Sequence, residues 1–312
     1  MEFLLTTNAG LEDIVKAELV RHGAELDPPI LAADVDTCPF GCLGRVLLRR
    51  PKPLRDIHSS MLGGGSGSGA VVEARVERVL LGLRSIHDAL WHHMVMHLQV
   101  PEEMAPAIAL YEQVRALPLN DVHGGPVPPL LGGTRSFRVS CVREGEQPTP
   151  ITSIEVEREV GGALQELYNA PCAMKEFDLR IRVDLSRSTI LIGTALNREP
   201  LSRRHKLAFT RSVTLKPTVA FALLHLARCE PGHVLLDPCC GSGTLPLEAA
   251  LAFPGLVAHG VDKSGAVVKG AQANCCAEQL QDRCSFSAGN CRELHALFAE
   301  GTFDRVVTNA PW

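Results

Sequence analysis

Two short stretches of this sequence carry residue types that could do chemistry together. Asp237-Pro238-Cys239-Cys240-Gly241-Ser242-Gly243-Thr244 is a glycine-rich turn between an apolar run and a helical pattern, and Asn309-Ala310-Pro311-Trp312 follows a second apolar run at 303–307. A strand that enters a glycine turn and then a helix is half of a nucleotide-type cofactor site, because backbone without Cβ atoms can approach a ligand closely. An Asn-x-Pro-aromatic turn at a strand end can hold a planar amine. Together the two stretches read as a methyl-transfer site.

The chemistry explains the residue types. An exocyclic amine on a nucleobase is a poor nucleophile, since its lone pair is delocalised into the ring. Two acceptors aimed at its N–H groups localise that pair and absorb developing positive charge. Asn309 supplies a side-chain oxygen and Ala310 a main-chain carbonyl. Pro311 stiffens the turn, and Trp312 stacks on a base that, if helical, must first be flipped out. The commoner form of this turn has proline where Ala310 stands, a change that costs rigidity more than chemistry.

The glycine turn is not a dinucleotide fingerprint, because its third glycine would fall at position 246, which is Pro246. Asp262 ends the next apolar run, where a carboxylate can accept from both ribose hydroxyls. Asn290 lies just past a third run, placed to offer its side-chain oxygen to an adenine amine. Asp237, Pro238, Cys240, Gly241, Ser242, Gly243 and Thr244, with Asp262 and Asn290, are therefore expected to bind S-adenosylmethionine.

These motifs need a scaffold, and 312 residues allow two or three domains. A 46% hydrophobic and 21% charged chain without a long apolar run reads as an ordinary globular protein with no membrane span. The first residues lack the pattern of a secretory signal, and eleven scattered cysteines suit reduced thiols, so cytoplasm or nucleus is expected. With a net charge of −4, attraction to polyanions must be local. Arg198, Arg203, Arg204, Lys206, Arg211 and Lys216 face a single acid, Glu199, and Arg45, Arg49, Arg50, Lys52 and Arg55 form a second cluster; the alternative for each is a solvated face or linker. His92, His93 and His97 are read on a helix, but no third ligand follows in register. The close cysteine pairs lack a second pair nearby, so no metal site is expected.

Periodicity gives strands at 2–6, 45–48 and 71–81, helices at 10–22, 86–98 and 105–117, a glycine-serine insert at 63–69 and a long loop at 121–133. A strand at 136–143, a helix at 153–169 and strands at 177–184 and 189–196 follow. A helix at 217–227 then leads into alternating strands (234–236, 257–261, 284–287, 305–307) and helices (245–252, 265–278, 291–299), a parallel doubly wound sheet.

With these residues in place the chain resembles the THUMP-domain class I methyltransferases that make N2-methylguanosine in tRNA. Phe3-Leu4-Leu5-Thr6-Thr7 with Gly10-Leu11-Glu12 is similar to the start of that family's ferredoxin-like domain. Ser136 to Arg143, Gly161-Gly162-Ala163 and Phe177-Asp178-Leu179 resemble its THUMP segment, and Leu201-Ser202-Arg203-Arg204-His205 with Leu215-Lys216-Pro217-Thr218 the lead into its catalytic domain. The resemblance implies an α/β protein of three parts: a ferredoxin-like α+β domain at 1–98, a THUMP RNA-binding domain at 99–196 and a Rossmann-like methyltransferase domain at 197–312. It implies tRNA as partner, an acceptor-stem guanosine as target, a small zinc-binding activator subunit, and RNA contacts from Arg138 and Arg143 as well as the basic linker. Since the family's catalytic sheet has seven strands and this sequence reaches the fourth, a C-terminally truncated form that alone methylates poorly or not at all is expected. The alternatives are an adenine or cytosine amino-methyltransferase acting on DNA, and a non-catalytic RNA-binding remnant.

Overall fold

The computed structural model describes residues 2–50, 68–116, 136–144 and 150–310. Their contacts form two compact units: Met1–Gly82 with Asp88–Arg198, and Leu83–His87 with Glu199–Trp312. Among the described residues no helix is long and apolar enough to cross a membrane.

The first unit runs β1 (Glu2–Thr6), α1 (Glu12–His22), β2 (Val35–Thr37), β3 (Arg45–Arg49), α2 (Ser68–Gly82), β4 (Asp88–His97), α3 (Pro106–Ala116), β5 (Phe137–Glu144), α4 (Ser153–Tyr168), β6 (Leu179–Ser186) and β7 (Thr189–Ala195). Its strands form one sheet in the order β2-β3-β1-β4-β7-β6-β5, with only β5 and β6 parallel. β4 ladders onto β1 on one side and β7 on the other, so the sheet is continuous across residue 98.

Two expected elements exchange identity here. The run 71–81, read as a strand, belongs to helix α2, where Val76 and Leu80 stand four residues apart on one face and are buried. The run 86–98, read as a helix, is the central strand β4. A strand covered on both faces loses its polar alternation, and a register shift between His92 and Met94 breaks what is left. The three histidines therefore lie on a strand. His93 Nε2 is 2.7 Å from Thr194 Oγ1, and His97 Nδ1 is 3.2 Å from Thr189 Oγ1. Of the expected insert, 63–67 lie outside the described residues while Ser68 and Gly69 open α2, and the loop 121–133 also lies outside.

The basic cluster that begins on β3 divides: Arg49 is half exposed and paired with Glu2 and Asp36, while Arg45 and Arg50 are buried. Arg45 is 2% exposed and donates from Nε to Asp184 at 2.5 Å and from Nη1 to Glu144 at 3.0 Å. Arg182 pairs with Asp88 and Asp184, and Arg180 with Asp88. Arg50 is buried on the carbonyls of Pro28 and Pro29; Lys52 and Arg55 lie outside the described residues. Because β3 and β6 stand four places apart, roughly 19 Å across a flat sheet, the Arg45–Asp184 pair requires the sheet to curl.

The second unit runs α5 (Pro217–Leu226), β8 (Val234–Asp237), α6 (Thr244–Ala252), β9 (Val257–Asp262), α7 (Gly265–Ala277), β10 (Cys284–Ala288) and β11 (Arg305–Val306). All pairs are parallel, in the order β10-β9-β8-β11. The helix expected at 291–299 is replaced by a single 3-10 turn, Leu294–Ala296. Since the chain leaves β8 toward β9 and later returns to its other side as β11, the order reverses at β8, where α/β sheets leave a crevice at their carboxyl ends.

Candidate cofactor and amine site

A cavity of about 510 Å³ opens at those carboxyl ends, a size that suits a small ligand. Of the residues read from sequence, Asp237, Pro238, Cys240, Gly241, Ser242, Thr244, Asp262, Asn290, Asn309 and Ala310 line it. Pro311 and Trp312 lie outside the described residues. Gly243 sits behind the lining, where a Cβ would meet the Phe286 ring at 3.0 Å, and its φ of +86° suits glycine. Gly241 differs: its φ is +53° and a Cβ there would meet nothing within 4 Å. One glycine is demanded by packing, the other leaves space beside the cavity, and that space fits a ligand lying against backbone.

The carboxylates tie the loop to the strand tips. Asp262 accepts from Gly241 N–H at 3.2 Å and Ser264 N–H at 2.9 Å, one bond on each oxygen. Each oxygen retains a lone pair for a hydroxyl. Asp237 accepts on Oδ1 from Cys239 N–H at 3.1 Å and from the Thr308 hydroxyl at 2.7 Å; Oδ2 takes no donor among the described residues. Burial pushes its pKa up to about 6 against those two donors, and the Asp262 charge adds to the rise. Asn290 is exposed; its Oδ1 already accepts from Arg292 N–H and its amide donates to Glu293, so an adenine contact would use the remaining lone pair. The Asn309 side chain is exposed and makes no hydrogen bond among the described residues, which leaves its oxygen free for an incoming N–H.

Several residues of the site carry no motif and were missed by sequence reasoning. Thr308 couples Asp237 to the turn that begins at Asn309. Asn274, fully buried on α7, accepts from Phe209 N–H at 2.7 Å and donates to the carbonyls of Phe209 and Ser242. Glu248, on the helix that follows the glycine loop, is fully buried and bonded to Arg84, Arg204 and His205. Burial raises its pKa, but His205, Arg84 and Arg204 more than offset that and hold it down at about 2. Arg211, Lys263, Cys239 and Cys291 also line the cavity. Of these four, Arg211 falls in the basic run and Cys239 in the glycine turn that the sequence marks, whereas Lys263 and Cys291 carry no such signal.

The expected RNA contacts divide. Arg143, Arg198 and Lys206 are exposed, and Arg203 is exposed with only Glu199 at 3.6 Å. Arg138 donates to the Met174 carbonyl and lies over the Phe177 ring at 5.9 Å. Arg204 is a correction: its guanidinium binds Glu248 and the carbonyls of Leu201 and Arg84, so it is engaged in the fold and not presented to a ligand.

Residues 204–312 match the RMKL-like methyltransferase domain and residues 108–195 the THUMP domain. A tRNA (guanine(6)-N2)-methyltransferase of Thermus thermophilus is 41% identical over 192 residues, 59% of this chain and 53% of that protein. A U6 snRNA (guanine-N(2))-methyltransferase of Bos taurus is 35% identical over 148 residues, 47% of this chain and 29% of its own. The chain thus spans about half the length, or less, of these curated relatives. The crystal structure of TrmN from Thermus thermophilus aligns with a TM-score of 0.66 at 33% identity, covering 99% of this chain and 79% of that one. A THUMP segment, a doubly wound methyltransferase sheet and likeness to TrmN over nearly the whole of this chain place it in the family of THUMP-domain class I RNA methyltransferases.

Proposed function

We propose that the chain transfers the methyl group of S-adenosylmethionine to the N2 amine of a guanosine in tRNA, in the acceptor stem. The observation that carries this reading is the meeting of Asp237, Asp262 and Asn309 around one cavity. When bound, the cofactor supplies an electrophilic methyl group. Asp262 accepts from the ribose hydroxyls, and the backbone around Gly241 leaves room for the ligand. Asn309 Oδ1 and the Ala310 carbonyl accept from the amine's two N–H groups, drawing the nitrogen toward tetrahedral geometry and stabilising positive charge as it develops. Trp312 stacks on the flipped base and Pro311 fixes the turn.

The rest of the proposal follows the same reading. Residues 1–98 form a ferredoxin-like part, 99–196 the THUMP part that grips tRNA, and 197–312 the catalytic part. Arg138, Arg143, Arg198, Arg203 and Lys206 contact the RNA backbone, a small zinc-binding activator is a partner, and the work is cytoplasmic. A guanosine in U6 RNA is a second reading, supported by the 35% identity to the Bos taurus enzyme. Labelled methyl transfer to a tRNA transcript and a U6 transcript separates the two. The mechanism is tested by Asn309→Ala: transfer should fall by about 10²–10³, the usual effect of losing one charge-stabilising partner, with cofactor affinity unchanged. Retained transfer would remove Asn309 from the reaction.

A further inference from the structure

The ladder between β8 and β11 continues past the strand bounds, for Val307 N–H donates to the Leu236 carbonyl at 2.9 Å. That register sets Val307 opposite Asp237 and Thr308 one residue further on, and the 2.7 Å contact from the Thr308 hydroxyl to Asp237 is the length of a charge-assisted hydrogen bond. The oxygen that receives it also holds the glycine loop through Cys239 N–H. One carboxylate oxygen therefore joins the cofactor loop to the residue immediately before Asn309. Resting on the reading above, we propose that Thr308 is a positioning residue of the methyl-transfer site: its hydroxyl keeps Asp237 ionised and fixes the turn that presents Asn309.

The surroundings of Asp237 make that hydroxyl decisive. Thr308 faces it from the segment just past β11, Cys239 and Cys240 from the glycine loop, and Asp262 from β9, while Arg211 and Lys263 line the same cavity. The described hydrogen bonds and ion pairs give Asp237 no cationic partner. Its pKa of about 6 already stands close to neutrality, burial raises it, and the Thr308 hydroxyl is the strongest group pulling it down. Without the hydroxyl one amide remains, so the carboxyl takes up a proton at a higher pH, and the amine turn loses its tie at the same moment.

Three variants test this: Thr308→Val, which keeps shape and loses the hydroxyl, Thr308→Ser, which restores it, and Asp237→Asn, which cannot titrate. Cofactor affinity by calorimetry and turnover on a tRNA transcript are measured from pH 5.5 to 8.5. The T308V acid limb of cofactor binding is expected to move up by about one pH unit, the scale of a lost hydrogen bond to a carboxylate. Turnover should drop about tenfold with KM for tRNA unchanged, and T308S should recover both. Adding T308V to D237N should produce no further pH shift. An unchanged T308V profile, or T308S as impaired as T308V, would overturn the proposal. The calorimetric shift is read without transfer, so it stands or falls separately from Asn309→Ala, whose retained activity would strike at the amine chemistry alone.

Discussion

Two carboxylates are buried within the second unit, and they are treated in opposite ways. Glu248, on α6, is surrounded by Arg84, Arg204 and His205, and its pKa is held at about 2. Asp237, at the tip of β8, has a hydroxyl and one amide, and burial lifts its pKa to about 6. The first is a finished ion cluster that pins the linker segments to the helix behind the glycine loop. The second is a charge left short of partners beside an open cavity, the condition under which a site awaits a ligand.

The strongest way to break this contrast is Glu248→Ala, which strands two guanidiniums and should cost about 3–5 kcal/mol, measured as the shift in denaturant midpoint. Asp237→Asn should act in the reverse sense. A folded pKa above the ordinary 3.8 means stability is full below about pH 4 and lost as pH rises through about 6. Removing the charge should therefore recover on the order of 2 kcal/mol at pH 7.5, read as a higher Tm, while cofactor affinity weakens and loses its acid limb. For Glu248 the sign is opposite: its contribution is present above its ordinary 4.5 and disappears as pH falls toward 2, so wild type should weaken between these limits and E248A much less.

The two glycines sharpen the comparison at smaller scale. Gly243→Ala, strained at φ +86° and crowded by Phe286, should lower stability by more than about 1–2 kcal/mol, the usual left-handed cost. Gly241→Ala should pay only that cost in stability and show its larger effect in calorimetric cofactor affinity. Smallest are the linker cations. Arg198→Ala and Arg203→Ala should each reduce the salt slope of tRNA binding by about 1, whereas Arg204→Ala should lower Tm and leave that slope nearly unchanged.

Much of the parallel sheet was legible in the sequence because strands alternate with helices and three strand ends carry polar residues of marked type. Asp237, Asp262 and Asn309 mark three tips by type alone, and the parallel order follows from strands alternating with helices. The first unit was harder. α2 and β4 exchanged identity because helix spacing with an extra valine mimics alternation, and because a central strand with a bulge has none. Thr308, Asn274 and Glu248 were invisible for another reason: their partners lie far away in the chain and no local spacing reports them. Arg204 shows the limit of counting charges, since a cation in a basic run is no less basic when it is committed to a buried acid.

Asn274 has one more effect. A single buried amide grips the Ser242 carbonyl of the glycine loop and both backbone groups of Phe209, whose ring lies where a Cβ on Gly270 would be. The stretch that leads on to Arg211 and Thr214 at the cavity wall is thereby moored to the same post as the loop opposite. Cutting that post should set floor and wall adrift together, speeding amide hydrogen exchange at both.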